Sequence, residues 1–538
     1  MANSVDFSGR PFHFIGVGGI GMSAIAYVLA KQKIPVSGSD AKLNGITLRL
    51  EAEGVHIFQE QHASNLEAFS SSRIPQLSQV LSSDTEASSR EAGLSSAHAL
   101  TVAASPHDVG NDAGHDAGDP GIIKKSLKDE TVIPQVVCST AINSSNPEYR
   151  AALDMGCPIF HRSDILAALM HNYQSIAVGG THGKTTTSSM IGHVLLKTDV
   201  DPTILVGGEV DAWGGNARLG LGNYLVAEAD ESDGSLVKFF PDVAIITNIE
   251  LDHPDHYSTL DDVIAIFETF VRQSQTFIGC VDCPTVRQRL WPDISYALNS
   301  DLGADYTVRN TSSTATHTTA EIIERGQCLG TVRLPMLGDH NLNNALAAIA
   351  VARHLELEFD AIAAALESFG GAHRRFERRG EYCNITFVDD YAHHPSELKA
   401  TLSAAKLQVQ SSDGQYRRVV AVFQPHRYSR TYTFLQEFGK AFSDADAVVT
   451  TDIYSAGEIN EWDVSGQRLA DVIAQSHSQV TYQPSLSEVE VFLQNTLKSG
   501  DLVLFLGAGN LNTIIPSLLT FYWEKEQHTL PSSICNPA

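Results

Sequence analysis

The chain passes from an apolar stretch into a helical pattern at Gly179-Gly180-Thr181-His182-Gly183-Lys184-Thr185-Thr186-Thr187. Backbone N–H groups of such a glycine turn cradle phosphates, its lysine neutralises the β and γ oxygens of a nucleotide, and its first threonine hydroxyl ligates Mg²⁺. The strict pattern, G-x-x-x-x-G-K-[ST], has its first glycine where this chain has Val178, so that glycine is displaced by one position. The turn still predicts an ATP-binding α/β domain built on a parallel sheet.

Carboxylates follow the next two strand-like runs of the sequence. Glu228-Ala229-Asp230-Glu231-Ser232-Asp233 comes directly after apolar residues 224–227, and Asn248-Ile249-Glu250-Leu251-Asp252-His253 follows residues 243–247. Acids at the carboxyl end of a strand in an open α/β sheet face the ligand crevice, where hard oxygens suit Mg²⁺. On these residues alone a solvated acidic loop remains the alternative, and His253 remains an ordinary loop residue.

A second glycine turn stands near the start of the chain. Gly16-Val17-Gly18-Gly19-Ile20-Gly21 lies between a strand at residues 13–15 and a small-residue helix at 22–30, and Asp40 follows at the spacing of a ribose-binding acid. The pattern indicates a dinucleotide, but physically it requires only close backbone approach and a helix N-terminus that favours a diphosphate. An NAD-dependent oxidoreductase therefore remains open, although it would leave the Lys184 turn and the carboxylates without a role.

Length and pattern predict an α/β protein of three domains, because 538 residues exceed what one hydrophobic core organises. We place an N-terminal Rossmann-like domain at residues 1–170, a central P-loop ATP-binding domain at 171–371 and a C-terminal Rossmann-like domain at 372–538. Residues 70–129 carry serine pairs and the near-repeat DAGHDAGDPG, which predicts a poorly ordered insert. Strands of the last domain are expected at residues 385–388, 419–423, 447–451 and 502–506.

Composition excludes several classes of protein. The net charge of -26 disfavours a broad surface for nucleic acid or anionic lipid, since such surfaces neutralise phosphates with Lys and Arg. No run of 18 apolar residues and no signal peptide is evident, so we expect a cytoplasmic protein without a membrane span. Seven cysteines in a long chain indicate reduced thiols, and the isolated Cys280-x-x-Cys283 pair is expected to have neither a metal nor a redox role. The oligomeric state stays open.

Four segments, taken in order, resemble the Mur ligase family. They are GGTHGKTTT from Gly179, EADESD from Glu228, NIELDH from Asn248 and GDHNLNNALAA from Gly338, and the resemblance extends over nearly the whole chain apart from the insert. It implies an ATP- and Mg²⁺-dependent ligase of bacterial cell-wall synthesis. It implies two magnesium ions, the first at Thr185 and the second at Glu228 and His253. It implies ATP at Gly180, Thr181, His182, Gly183, Lys184, Thr185, Thr186, Asn341, Asn344, Arg375 and Asp390.

The C-terminal segments HRRFE from His373, DDYAHHP from Asp389 and FQPHRYSR from Phe423 resemble the alanine-adding branch of the family. The resemblance implies the small-molecule substrates UDP-N-acetylmuramate and L-alanine. It implies alanine at Tyr391, His393, His394, Arg427 and Arg430, where two arginines three positions apart could clamp a small carboxylate. It implies the sugar nucleotide at Gly16, Gly18, Gly19, Ile20, Gly21, Ser39, Asp40, Ser139 and Thr140, with Asn146-Pro147-Glu148 at another edge of that pocket.

The implied chemistry is phosphorylation of a carboxylate, followed by attack of an amine on the acyl phosphate. Lys184, Glu228, His253, Arg375 and His393 are the implied catalytic residues, with His393 orienting or deprotonating the amine. A family relative that attaches a tripeptide to the same sugar nucleotide remains an alternative within the ligases. A non-catalytic binding protein is disfavoured because Lys184, Glu228 and His253 are all present.

Overall fold

A computed structural model describes residues 4–70, 133–411 and 415–529. It contains three twisted α/β sheets that follow one another along the chain, so the predicted fold class is confirmed. Apart from its first residue, which ends a helix, the predicted insert at 70–129 lies outside the described residues. Among the helices of the described ranges, none combines the length and the apolar character that a bilayer crossing requires.

The N-terminal sheet has five parallel strands in the order β3-β2-β1-β4-β5. The glycine turn at residues 16–19 joins β1 to α1, as the sequence predicts. The strands are β1 Phe12–Ile15, β2 Val36–Ser39, β3 His56–Phe58, β4 Gln135–Cys138 and β5 Ile159–His161. The helices are α1 Ile20–Lys31, α2 Gly45–Ala52, α3 Ser64–Ser70, α4 Pro147–Asp154 and α5 Arg162–Met170.

The central sheet has ten strands in the order β15-β14-β13-β12-β11-β10-β6-β9-β7-β8. Its middle strands are parallel and almost wholly buried, and an antiparallel meander extends one edge. The strands are β6 Gln174–Gly179, β7 Thr203–Val210, β8 Gly215–Arg218, β9 Tyr224–Glu228, β10 Val243–Ile246, β11 Thr276–Cys280, β12 Ile294–Tyr296, β13 Tyr306–Ser313, β14 Thr318–Glu324 and β15 Gln327–Leu334. The helices are α6 Lys184–Lys197, α7 Leu260–Arg272, α8 Pro284–Arg289, α9 Asp339–His354 and α10 Phe359–Glu367.

The C-terminal sheet has six strands in the order β16-β17-β21-β18-β19-β20, with only β16 antiparallel to its neighbour. All four strands expected here from the sequence are present. The strands are β16 Glu377–Tyr382, β17 Ile385–Asp390, β18 Arg418–Phe423, β19 Ala447–Thr450, β20 Val480–Tyr482 and β21 Asp501–Leu506. The helices are α11 Pro395–Gln410, α12 Tyr428–Thr433, α13 Leu435–Gly439, α14 Gly466–Ala474, α15 Leu486–Thr496 and α16 Ile515–Thr529.

The N-terminal and central sheets share a continuous apolar core, since one cluster of buried side chains includes Phe12 of β1 and Leu225 of β9. The hairpin of β7 and β8 lies against α1 at this boundary. Asn216 Nδ2 donates a hydrogen bond of 2.6 Å to the Ile20 carbonyl. Arg49 Nη2 donates one of 2.9 Å to the Ala217 carbonyl. The start of α1 is therefore attached directly to the edge of the central sheet.

Candidate active site

A cavity of about 1060 Å³ lies where the three sheets meet. Its wall includes the carboxyl ends of β1, β6 and β9 and loops of the C-terminal domain, which is where open α/β sheets bind ligands. All three predicted metal ligands, Thr185, Glu228 and His253, line it. Of the other predicted site residues, some line this wall and others lie behind it.

The Lys184 turn has the backbone that a phosphate cradle needs. Gly180 and Gly183 have φ angles of 131° and 82°, a region that side chains disfavour. A Cβ atom at Gly180 would lie 2.0 Å from Thr247 Oγ1, and one at Gly183 would lie 2.6 Å from Asn344 Oδ1. Because the loop is this tightly packed, its glycines are required by geometry, and α6 begins at Lys184 immediately after them.

Lys184 pairs with a buried carboxylate that the sequence reading assigned no role. Its Nζ lies 2.8 Å from Glu231 Oε2 and also donates to the carbonyls of Gly180 and Thr181 at 2.7 and 3.2 Å. Burial alone would lower the pKa of Lys184, but the charges of Glu231, Asp230 and Glu228 outweigh it and raise that pKa. The ammonium group is therefore held charged at the phosphate turn.

The predicted metal ligands surround the start of α6. Thr185 Oγ1 donates to Glu228 Oε1 at 3.1 Å, and the Gly207 N–H donates to Glu228 Oε2 at 2.6 Å. A Cβ atom at position 207 would lie 2.5 Å from that carboxylate oxygen, so glycine leaves the space that Glu228 occupies. A hydroxyl and a carboxylate in contact, both facing the cavity, form a donor set that suits Mg²⁺.

His253 completes this group from the neighbouring loop. Its φ angle of 55° lies in the left-handed region, which residues other than glycine seldom adopt. Its Nε2 lies 3.7 Å from Glu231 Oε1 and 3.7 Å from Asp252 Oδ2. The loop therefore presents an imidazole to the cavity beside the carboxylate that pairs with Lys184.

The N-terminal glycine turn forms the opposite wall of the cavity. The predicted residues that line it are Gly16, Gly19, Ile20, Gly21, Asp40, Ser139 and Thr140. The Gly18 N–H instead donates to Asp40 Oδ2 at 2.8 Å, which fixes the acid against the turn. The first turn of α1 has no side-chain cap, so its N–H groups remain available to an anion.

Two predicted contributors to the sugar-nucleotide pocket are internal. Glu148 and Ser39 are fully buried, and the Glu148 carboxylate accepts hydrogen bonds from Ser39 Oγ, His13 Nε2 and Asn65 Nδ2. The expectation that Glu148 lies at the edge of the pocket is therefore wrong, and Ser39 likewise faces this network. A buried carboxylate requires such partners, because an unpaired one would be strongly destabilising.

The C-terminal domain contributes Tyr391 and His393 to the wall. His393 Nδ1 lies 2.9 Å from the Tyr391 carbonyl, and a carbonyl accepts only, so Nδ1 carries the proton and Nε2 keeps a free lone pair. Burial lowers the pKa of His393 to about 4. Arg375 reaches across to the P-loop, with Nη2 3.5 Å from Thr185 Oγ1.

The two arginines expected to clamp a carboxylate already contact carboxylates of the protein. Arg430 Nε lies 2.9 Å from Asp252 Oδ1, and only 2% of the Arg430 side chain is exposed. Arg427 Nη1 lies 2.7 Å from Asp255 Oδ2 and 3.3 Å from Glu458 Oε1. Both arginines line the cavity, and Arg427, with 31% of its side chain exposed, is the more accessible of the two.

Several predicted residues stand behind the wall, among those that the structure describes. Asn344 Oδ1 accepts from Thr187 Oγ1 at 3.1 Å, and Asn341 Nδ2 donates to the Leu337 carbonyl at 2.8 Å. The Asp390 carboxylate accepts the N–H groups of Phe376 and Ala392. The predicted residues absent from the described wall are Gly18, Ser39, Gly180, His182, Thr186, Asn341, Asn344, Asp390 and His394.

His182 and His394 instead join the central and C-terminal domains. His182 Nδ1 lies 3.2 Å from Glu397 Oε1, and its Nε2 lies 3.5 Å from Glu250 Oε2, an ion-pair distance without a well-formed hydrogen bond. The two imidazole rings lie 4.7 Å apart. Glu397 also caps α11 by accepting the N–H groups of His393 and His394.

Comparison with known proteins decides the family. The description "Mur ligase family, catalytic domain" matches residues 11–174, "Mur ligase middle domain" matches 178–352 and "Mur ligase, glutamate ligase domain" matches 374–509. The UDP-N-acetylmuramate–L-alanine ligase of Nostoc punctiforme is 57% identical over 529 residues, which cover 98% of this chain and 100% of that protein. The chain belongs to the Mur ligase family.

Two further proteins resemble this Mur ligase over most of its length. The UDP-N-acetylmuramate–L-alanine ligase of Crocosphaera subtropica is 57% identical, covering 97% of this chain and 96% of its own. The crystal structure of the UDP-N-acetylmuramate-alanine ligase of Thermotoga maritima is 26% identical, with a TM-score of 0.72, and covers 96% of this chain and 99% of its own.

Sequence reasoning gave no role to several wall residues of this Mur ligase, among them His426, Gly207 and Arg162. His426 lines the cavity and accepts from Arg430 Nη1 at 3.2 Å, and burial lowers its pKa to about 3. Gly207, which supports Glu228, lies in β7 without any motif that marks it. Arg162 begins α5 and faces the N-terminal glycine turn. Of these, only His426 belongs to a segment that the sequence analysis singled out. In that segment, the ligand-binding role was assigned to Arg427 and Arg430 instead.

Proposed function

We propose that this Mur ligase joins L-alanine to the lactyl carboxylate of UDP-N-acetylmuramate, with conversion of ATP to ADP and phosphate, in the cytoplasmic synthesis of peptidoglycan precursors. One observation carries the proposal: a single cavity collects the Lys184 phosphate turn, the acid and imidazole group, the N-terminal glycine turn and His393. Each of the three substrates would bind to a different domain, and their reacting atoms would meet in the cavity between the domains. The relatives that are 57% identical over nearly the full chain carry this activity in their names.

The first step is transfer of the γ-phosphoryl group of ATP to the lactyl carboxylate, with ADP leaving. The transition state spreads negative charge over the phosphoryl oxygens, so catalysis consists mainly of positioning and cations. Lys184, held charged beside Glu231, and Arg375, which approaches Thr185 from the C-terminal domain, supply that charge. The glycine turn holds the remaining phosphates through its N–H groups.

Mg²⁺ fits the donor set of this wall. Thr185 would hold a first ion, and Glu228 and His253 would hold a second, since the hydroxyl, the carboxylate and the imidazole all line the same cavity. When bound, magnesium would screen the negative charge of the ATP phosphates from the carboxylates of the wall. Gly207 keeps Glu228 in place through its N–H, and therefore belongs to the support of the metal site.

The second step is attack of the alanine amine on the acyl phosphate. The amine forms a bond to the acyl carbon, the carbon–oxygen bond to phosphate breaks, and the amine loses a proton. His393 would orient the amine or accept that proton at Nε2, because its Nδ1 is committed to the Tyr391 carbonyl. Arg427 would bind the alanine carboxylate from the rim, where it is partly exposed.

The domain contacts protect the acyl phosphate from water. Arg430 with Asp252, Arg427 with Asp255 and His182 with Glu397 all cross between the central and C-terminal domains. Their formation closes the cavity on the side of the amine. Rotation of the C-terminal domain away from these contacts would open it for substrate entry.

The test is phosphate release by the purified full chain with ATP, Mg²⁺ and UDP-N-acetylmuramate, compared across a panel of amino acids. We expect turnover with L-alanine, weaker turnover with glycine and serine, and a product heavier by one alanine residue in mass spectrometry. The panel includes the tripeptide of the alternative ligase, and a parallel assay follows NAD reduction. Turnover with the tripeptide but not with alanine, or hydride transfer without phosphate release, would refute the proposal.

A further inference from the structure

Positive charge is distributed unevenly around the cavity. Among the described residues, the lysines and arginines of its wall from the central and C-terminal domains are Lys184, Arg374, Arg375, Arg379, Arg427 and Arg430. The described part of the N-terminal domain contributes one cation to the same wall, Arg162. Within the described wall, the N-terminal domain therefore offers one guanidinium group, that of Arg162, to an anion bound at its glycine turn.

Arg162 lies directly against that turn. A Cβ atom at Gly21, in the first turn of α1, would be 3.1 Å from Arg162 Nη1. The N–H groups at this end of α1 lack a side-chain cap, and α1 continues for 12 residues. A helix N-terminus and a guanidinium group thus meet at one point of the wall, which is a strong combination for binding phosphate oxygens.

The same guanidinium group separates the glycine turn from the acid cluster. Its Nη2 lies 3.0 Å from Asp230 Oδ2 and 3.4 Å from Asp233 Oδ2. Among the described residues, Nη1 and Nε have no hydrogen-bond partner, and 21% of the side chain is exposed. Arg162 can therefore keep its contacts with the two aspartates and still offer two nitrogens to a ligand.

We propose that Arg162 binds the diphosphate of the sugar nucleotide and screens it from Asp230 and Asp233. The inference rests on the proposed function for the identity of the ligand, and it assigns a substrate-binding role to a residue outside the glycine motif. Without Arg162, the diphosphate at the start of α1 would face two carboxylates at close range. Removal of Arg162 should weaken sugar-nucleotide binding much more than ATP binding, because Lys184 and Arg375 bind the phosphates of ATP.

The experiment compares Arg162→Ala and Arg162→Lys with wild type by calorimetric titration of three probes. These are UDP-N-acetylmuramate, UDP-N-acetylglucosamine, which has the diphosphate but no lactyl carboxylate, and ATP with Mg²⁺. Loss of a charge-assisted contact predicts about ten- to a hundredfold weaker binding of both UDP-sugars to Arg162→Ala, and a change of less than about threefold for ATP. Arg162→Lys should recover part of the affinity, since lysine keeps the charge without the planar fork.

Lys238→Ala is the matched control, because Lys238 also joins the central domain to α5, through Asp164 at 2.6 Å, but does not line the cavity. It should bind all three probes like wild type. Equal weakening of ATP and UDP-sugars in both Arg162 variants would indicate a structural role and overturn the inference. Weakening of UDP-N-acetylmuramate alone would assign Arg162 to the lactyl carboxylate and overturn it too. Wild type that binds neither UDP-sugar would refute the proposed function instead.

Discussion

Arg430 and Asp252 form a two-point ion pair across the boundary between the central and C-terminal domains. The Nε atom of Arg430 lies 2.9 Å from Oδ1, and its Nη2 lies 3.3 Å from Oδ2. Only 2% and 4% of the two side chains are exposed. Because Asp252 directly precedes His253, the pair connects the proposed amine pocket to the proposed metal site. Domain closure would therefore be linked through this one contact to the loop that carries a proposed metal ligand.

Arg430→Ala is expected to affect both stability and catalysis. It leaves the Asp252 carboxylate buried without its partner, which costs about 3 to 5 kcal/mol. We predict a lower Tm and at least about a hundredfold lower kcat/KM for alanine. The double variant Arg430→Met/Asp252→Asn should regain part of the Tm, since the buried charge is gone. Wild-type Tm and alanine KM in Arg430→Ala would contradict the role of the pair.

Lys184→Ala should abolish most turnover, by about a hundred- to a thousandfold, because one cation is removed from the developing phosphoryl charge. The structure adds a second effect, since Glu231 then remains buried without its partner and Tm should fall. Lys184→Ala/Glu231→Gln should recover Tm but not phosphate release. Recovery of phosphate release in the double variant would remove Lys184 from the phosphate site.

Magnesium dependence tests the metal ligands. Glu228→Gln and His253→Ala should each raise the Mg²⁺ concentration needed for half-maximal activity and lower the maximal rate, because each removes a proposed ligand. Glu268→Gln serves as a control, since this half-exposed acid does not line the cavity. Activity is followed as phosphate release over a Mg²⁺ titration. An unchanged titration curve in both variants would exclude these residues from the site.

The pH dependence of stability should report on His182. Burial alone would lower the pKa of His182, but contacts with Glu250 and Glu397 outweigh it and raise that pKa to about 10. The pKa is higher in the folded protein than the usual 6.5, so the ion pair stabilises fully below about pH 6.5. This stabilisation is lost as pH rises towards 10, while His394, with a pKa lowered to about 4, stays neutral.

Thermal unfolding of wild type and His182→Gln between pH 6.5 and pH 10.5 measures this effect. The Tm difference between the two proteins should be largest at the low end of that range and shrink towards its high end. A Tm difference that stays constant with pH would show that His182 does not form this ion pair as a protonated imidazolium.

Arg427 is the sharper probe of the alanine site, because it is more exposed than Arg430. Arg427→Ala should raise the alanine KM by about ten- to a hundredfold, the value of one charge-assisted contact, and leave the KM of ATP nearly unchanged. Arg427→Lys should recover part of the loss. Lys440→Ala, at an exposed position of the same domain, is expected to behave like wild type. Should Arg427→Ala weaken only the sugar nucleotide, the alanine assignment would be wrong.

The sequence predicted both glycine turns and the strands that precede them because these features are local. A glycine turn between an apolar run and a helical pattern specifies its own strand and helix, as at Gly16 and Gly183. The acids after β9 were likewise predictable, since their position at the strand end places them at the crevice. Thr185, Glu228 and His253 therefore line one cavity, as the motif order suggested.

What the sequence did not indicate depends on distant partners. Glu148 follows a helix-capping Asn146 and looks like an exposed acid, yet it is the buried acceptor for His13 and Ser39. Arg430 looked like a free ligand-binding arginine, but its carboxylate partner stands 178 positions earlier in the chain. No spacing rule relates such pairs, because packing of whole domains decides them.

The hairpin of β7 and β8 contacts both the proposed metal site and the start of α1. The Gly207 N–H of β7 donates a hydrogen bond to Glu228. On the other strand of the hairpin, Asn216 of β8 donates one to the first carbonyl of α1. A ligand that shifted the start of α1 would also act on this hairpin, whose other strand holds Glu228 through Gly207. Sugar-nucleotide occupancy should therefore be transmitted to the magnesium ligand as a mechanical displacement within one sheet edge. Lengthening that hairpin by a residue would disconnect the two events while leaving every ligand-binding side chain in the protein.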